Sequence, residues 1–204
     1  MQNKAIFGII GVLVIAAGGY YAWQSGMLGG QGPTPATPAP VEDTRLGYAS
    51  STLGVSLKYP RDFTVDSTYA YTGFPKKPIL GVKFTIPGSM ATGTNLSSDT
   101  GISVEQLPRA KNCTGDIYIV DNVKPVEMTV GSTTYSVATT SGAGAGNFYE
   151  EMVYAISGSQ PCTALRYFIH SMNIGNFEPG VAREYDRAAL LRAFDTIRQS
   201  LVLQ

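Results

Sequence analysis

Histidine occurs once and cysteine twice in this chain of 204 residues, and those scarcities narrow the chemistry open to it. No Cys-x-x-Cys pair is present, so a zinc knuckle lacks its ligands and a thioredoxin-like site lacks its second thiol. A Gly-x-Ser-x-Gly elbow is missing too, and His170 is the one imidazole able to serve a serine nucleophile. The glycine-rich stretch 142–146, GAGAG, lacks the Lys-Ser/Thr of a phosphate loop and leads into a strand, so it reads as a flexible turn. Charge of one sign is also lacking. Fifteen acidic and fifteen basic side chains create no net field to attract nucleic acid, and no nucleic-acid partner is expected. No motif calls for a cofactor or a metal.

Charge is scarcest near the start. Residues 5–23, AIFGIIGVLVIAAGGYYAW, form an uncharged apolar run behind Lys4. As a helix the run reaches roughly 28 Å, close to the hydrocarbon thickness of a bilayer. Lys4 and the amino terminus carry the positive charge before it, while the next basic residue is Arg45, so the charge bias holds the N-terminus inside. Tyr20, Tyr21 and Trp23 form an aromatic belt at the exit. The sequence thus predicts a transmembrane signal anchor over 1–25, single-pass in a bacterial cytoplasmic membrane, with the remainder on the extracytoplasmic side. A cleaved signal peptide is the rival reading. Against it, the small residues 16–19 run straight into bulky aromatics and no A-x-A site precedes a polar mature start. A lipoprotein signal lacks its cysteine. Residues 26–45 read as a Gly/Pro-rich linker, flexible in its glycine half and extended in its proline half.

The remaining segment, 46–204, is the length of one domain. Twelve tyrosines and many Thr, Ser, Val and Gly residues favour strands and polar turns. Residues 54–59 alternate Val55, Leu57 and Tyr59 against Ser56 and Lys58, the period of a half-buried strand. Further strands are predicted at 79–86, 102–107, 126–130 and 133–138, with a tight hairpin at Gly131 and Ser132. Two more, 148–156 and 162–171, pair across the turn 157–161. Near the end Asp186 can cap a helix whose Leu190, Phe194, Ile197 and Leu201 form one apolar stripe. A short helix is possible between residues 116 and 122, and 89–100 reads as a loop. The expected fold class is α+β: an antiparallel sheet packed with a C-terminal helix, preceded by the N-terminal transmembrane helix.

Three features of this domain bear on chemistry. Cys113 and Cys162 lie on the predicted outer side, where a disulfide persists, and are expected to pair. In the simplest register of the 157–161 hairpin, Glu150, Arg166 and His170 share one strand face with Met152, Tyr154, Cys162 and Phe168. A carboxylate and an imidazole so placed can do acid–base work, with Arg166 holding an anion. The alternative is a diagonal ion pair beside an edge histidine, and a shift of one residue in register separates the three groups. The third feature is the loop GTNLSSD, where Thr94, Asn95, Ser97 and Asp99 concentrate oxygen donors. One carboxylate is poor for calcium, and the same side chains can cap turns.

The opening GVSLKYPRDF, the loop GTNLSSD and the ending FDTIRQSLVLQ after REYDRAALLRA resemble a group of uncharacterised bacterial envelope proteins that are membrane-anchored or lipoprotein-like. The two ends also resemble the PsbP/Mog1-like fold. The resemblance implies an antiparallel sheet backed by helices, and it implies no activity. The functional expectation is a non-enzymatic binding or envelope-assembly module, with the membrane contacted through residues 5–23 and an envelope protein as its partner. A small hydrolase or transferase using Glu150, Arg166 and His170 is the alternative, and a cation or solute sensor built on Asn95 and Asp99 is a third reading.

Overall fold

The computed structural model describes residues 43–74, 76–118 and 123–204. The predicted anchor, nearly all of the linker and the end of the 116–122 stretch lie outside the described residues. Among those described, no helix is long and apolar enough to cross a membrane.

Among the described residues there are eleven strands and two α-helices. The strands are β1 (Leu46–Ser50), β2 (Val55–Tyr59), β3 (Thr64–Asp66), β4 (Ala70–Tyr71), β5 (Ile79–Thr85), β6 (Gly101–Leu107), β7 (Val126–Val130), β8 (Thr133–Gly144), β9 (Asn147–Ile156), β10 (Cys162–Met172) and β11 (Val202–Leu203). The helices are α1 (Gly88–Ala91) and α2 (Arg187–Gln199). All pairings between strands are antiparallel. One sheet runs β3-β5-β6-β10-β9-β8-β7, with β4 added beside β5, and a smaller one runs β1-β2-β11. The domain is therefore α+β, an antiparallel sheet with one main helix.

Alternation decides which side of the large sheet is apolar. Along β10, Leu165, Tyr167 and Ile169 point to one face and Ala164, Arg166, Phe168 and His170 to the other, since successive strand side chains alternate. Helix α2 covers the first face. Its Leu190, Phe194 and Ile197 are buried in the same core as Val82, Phe84, Ile102 and Tyr167, and the rings of Phe194 and Tyr167 lie 5.2 Å apart. Asp186 caps the helix, accepting a bond from the Ala189 amide at 2.8 Å, as the sequence predicts. Leu201 lies beyond the last turn. The small sheet adds Val55 and Leu57 to this core.

Two turns set the strand geometry. Gly131 has positive φ in a two-residue hairpin between β7 and β8, in line with the sequence. Ala145 and Gly146 both have positive φ, the backbone of a type I′ turn, so the GAGAG stretch splits into the end of β8 and a tight hairpin. Residues 115–118 form a 3-10 turn. Gly115 in it approaches β8 so closely that a Cβ would lie 2.5 Å from the Ala138 amide nitrogen. Cys113 and Cys162 are joined, Cα to Cα 5.2 Å, as expected; the bond ties this loop to the start of β10.

The hairpin between β9 and β10 corrects one expectation. Its register is offset by one residue from the simplest one: Arg166 faces Val153, His170 faces Tyr149 and Glu150 faces Ile169. The cause is Ser159 in the turn, whose Oγ donates to the Ile156 carbonyl at 2.8 Å and accepts from the Thr163 amide at 2.9 Å. A side chain thus takes ladder positions at the turn, and β10 joins β9 only from Ala164 onward. Glu150 consequently projects to the helix side, away from Arg166 and His170.

Candidate functional site

Glu150 is held by Arg187, whose Nε donates to its Oε2 at 3.2 Å. Arg166 and His170 share the opposite face but serve different partners. His170 Nδ1 lies 2.8 Å from Asp99 Oδ1, and its Nε2 lies 3.0 Å from Asn147 Oδ1. The Asn147 amide nitrogen donates to the Ala145 carbonyl, which turns its oxygen toward the ring. Tyr149 stacks on that ring at 4.6 Å. An Asp–His pair of this kind activates a nucleophile only when a hydroxyl or thiol meets the far nitrogen. Here a carboxamide oxygen occupies that place. Burial works to raise the Asp99 carboxyl, but hydrogen bonds from Ser97 and His170 and the nearby imidazole hold it below the ordinary carboxylate range.

The loop at 94–99 proves structural over most of its length. Asn95 is buried; its amide group donates to the Met172 carbonyl at 2.9 Å and accepts from the Tyr185 amide at 3.0 Å. Thr94 Oγ1 donates to the Ala91 carbonyl at 2.8 Å and accepts from the Leu96 amide. Backbone bonds from Ser97 to His170 and from Met172 to Asn95 stitch the loop to the end of β10. The loop and the histidine therefore meet through Asp99, while Thr94 and Asn95 are spent on backbone groups. Among the described residues no cluster of His, Cys, Asp and Glu is arranged to hold a metal ion.

Arg166 sits inside a buried ionic cluster. Its Nε lies 3.4 Å from Oε1 of Glu105, a carboxylate with no exposure at all, and Nη1 lies 3.4 Å from Glu151. Nη2 donates to the Tyr69 hydroxyl, Ser103 donates to Glu105 at 2.8 Å, and the Tyr71 ring lies 4.4 Å from the guanidinium. Burial opposes the Arg166 charge, but Glu105, Tyr69 and Glu151 outweigh it and hold the group protonated above its usual range. Burial, with the Glu105 charge, pushes the Tyr69 hydroxyl up to about 12. The cluster organises the fold, and within it Glu105 Oε1 is engaged while its buried Oε2 has no hydrogen-bond partner among the described residues.

Open space of about 420 Å³ lies beside Glu150 and Arg187, and of about 380 Å³ beside Asn95, but the most apolar recess lies elsewhere. Beyond the ionic cluster, on the same side, Leu107, Cys162, Ala164, Val153 and Ala155 make a second, smaller core against Phe74, Ile79 and Ile117. It opens into a cleft of about 470 Å³ lined chiefly by Leu53, Phe74, Ile79, Leu80, Leu107 and Ile117, within the size range of small-molecule sites. The disulfide-tied loop after β6 makes one wall. Gln106 braces the floor by donating to the Leu53 carbonyl at 3.2 Å. None of the residues singled out from sequence lines it. The one trace of it there is the Ile79–Leu80 doublet, which puts an apolar side chain on each face of β5; Leu80 remains 60% exposed.

Fold and cleft together define a disulfide-stapled α+β domain with an apolar recess. No protein-family profile matches the chain, and no curated protein matches it. Solved structures similar to it include a crystal structure from Bacteroides thetaiotaomicron VPI-5482, at 9% identity and TM-score 0.46, covering 78% of this chain. This chain spans about half of that one, 48%. The solution structure of cyanobacterial PsbP (CyanoP) from Synechocystis sp. PCC 6803 aligns at 13% identity and TM-score 0.42, over 85% of this chain and 100% of that one. Neither likeness transfers a property to this chain.

Proposed function

We propose that this protein is a non-enzymatic binding module, held at the outer side of a bacterial cytoplasmic membrane by residues 5–23 and a linker through residue 45, and that its ligand enters the apolar cleft. The cleft is the observation that carries the reading. It combines a floor braced by Gln106, an apolar lining and an exposed Leu80, whereas Glu150, Arg166 and His170, the residues that suggest catalysis, are separated and engaged by other partners. The placement rests on the hydropathy and charge order of the first 45 residues.

The test uses the full chain in phosphatidylcholine nanodiscs, melted in the presence of short-chain alcohols, sugars, nucleotides and peptidoglycan fragments. A ligand at a hundred times its dissociation constant adds about 2.7 kcal/mol of stability, so an apolar ligand should raise the melting temperature. Ile117→Trp, which fills the cleft, and Leu80→Asp, which makes its mouth polar at an exposed position, should both abolish the rise. A rise produced by the polar compounds alone, or one unaffected by Leu80→Asp, would remove the cleft from consideration.

A further inference from the structure

We infer that the ligand of this cleft is a single-chain amphipathic anion, its alkyl chain laid over Leu107 and Ile117 and its head group at Lys77 and Arg109. The inference rests on the reading of the cleft as a ligand site and adds the chemistry of the ligand.

Charge carries the argument. The chain as a whole is balanced, yet the ionisable residues lining the cleft are Lys77 and Arg109, with no carboxylate among the lining residues. Both side chains are exposed, and neither takes part in an ion pair among the described residues. Other exposed cations, such as Arg61 and Lys111, are also without an ion pair among the described residues; what sets Lys77 and Arg109 apart is that they border an apolar recess. An apolar recess bordered by two unmatched cations complements a molecule with an apolar tail and an anionic end, because the tail gains from leaving water while the head stays at the wet rim. The guanidinium of Arg109 offers paired donors suited to a carboxylate, and Lys77 adds a point charge. Size supports one chain rather than two: the recess holds about 470 Å³, toward the lower part of the range for a single small ligand. Leu80, exposed at the mouth, supplies apolar surface for the part of the tail that emerges.

The experiment is photo-crosslinking of the full chain in phosphatidylcholine nanodiscs, with the labelled peptides mapped by mass spectrometry. Three diazirine probes are compared: a dodecanoic acid, the matching dodecanol and a two-chain phosphatidylglycerol. The acid should label peptides containing Leu107 and Ile117, about fivefold more than the alcohol does, since exposed charge pairs contribute up to about that factor. In 1 M salt, where the screening length falls to about 3 Å, the excess should vanish. The double variant Lys77→Gln with Arg109→Gln should lower the acid to the level of the alcohol, whereas Arg61→Gln, at an exposed site away from the cleft, should leave it unchanged. Equal labelling by acid and alcohol, or an excess that survives the double variant, would overturn the anionic assignment and leave the apolar cleft standing. Labelling by phosphatidylglycerol in place of the acid would overturn the single-chain assignment. If no probe labels the cleft peptides, the ligand reading falls together with its chemistry.

Discussion

The two faces of the large sheet are made from the same strands, alternate residue by alternate residue, and are held by different physics. On the helix side Val82, Phe84, Ile102, Leu165 and Tyr167 meet Leu190, Phe194 and Ile197 of α2 with almost no exposure, and the driving force is removal of apolar area from water. On the other side Ser103, Glu105 and Arg166 are just as inaccessible, yet what secures them is mutual: charge against charge, with Tyr69, Tyr71 and Glu151 completing the set. A face covered by a helix can be wholly apolar. A face covered by irregular segments meets their backbone and hydroxyl groups and keeps polar partners for them. The second face also changes character along its length, from the His170 and Asp99 contacts, through the ionic cluster, to the small apolar core and the cleft.

Mutations should separate these regimes. Phe194→Ala removes a ring from the apolar face and should lower unfolding stability by about 3–5 kcal/mol. Arg166→Met should have an effect of similar size, about 3–5 kcal/mol, because Glu105 is left buried without its counter-charge. The faces diverge in the double variant: Glu105→Met with Arg166→Met should recover most of the loss, since no lone charge remains. Urea denaturation reads all three, and a double variant no more stable than Arg166→Met would show that the cluster is not organised around this pair.

Alkaline pH sharpens the same contrast. Burial raises Tyr167 on the apolar face, where its hydroxyl donates to Asp195 and accepts from Arg198, and it raises Tyr69 on the polar face. In the unfolded chain both ionise near pH 10. Each is therefore a group whose folded value lies above its unfolded one: its contribution is complete below about pH 10 and is lost as pH climbs through the folded value. For Tyr167 the loss is about 1.4 kcal/mol per pH unit. Tyr167→Phe should flatten the fall in stability above pH 10, as read by denaturation at stepped pH, and an unchanged slope would count against the assignment. The smallest effect belongs to the helix cap: Asp186→Ala should lower stability by about 1 kcal/mol, with the content of α2 reporting it by circular dichroism.

What could be read in advance follows from the range of the forces involved. The period-two run that became β2, the strand-forming runs that became β6 and β10, the apolar stripe and cap of α2, and the Gly131–Ser132 hairpin depend on neighbours a few residues away. Short strands such as β3, β4 and β11, and β1 with its half-exposed pattern, have too few residues to show a period. The strand at 133–138 runs on to Gly144 because β9 pairs with it throughout, a non-local cause. Among the site residues, Glu150, Arg166 and His170 lie on strands as their sequence context predicts, but the simplest hairpin register, which groups them, is not the one formed. One hydroxyl, that of Ser159, shifts the pairing by a residue, and with period two that moves Glu150 to the other face. Asp99 and His170 lie 71 positions apart, and no local pattern links them.

From the residues alone came the charge balance that disfavours nucleic acid, the apolar first segment from which a membrane anchor is inferred, the pairing of the two cysteines and the α+β character of the domain. These depend on composition, on short-range periodicity or on there being just one possible partner. Tertiary structure decided which polar residues neutralise one another, bringing Arg166 to Glu105 and Glu151, Arg187 to Glu150 and His170 to Asp99. It also decided that residues from the β1–β2 turn, the segment before β5 and the loop after β6 enclose an apolar cleft, because a cavity is a property of surfaces brought together across the chain and has no period along it.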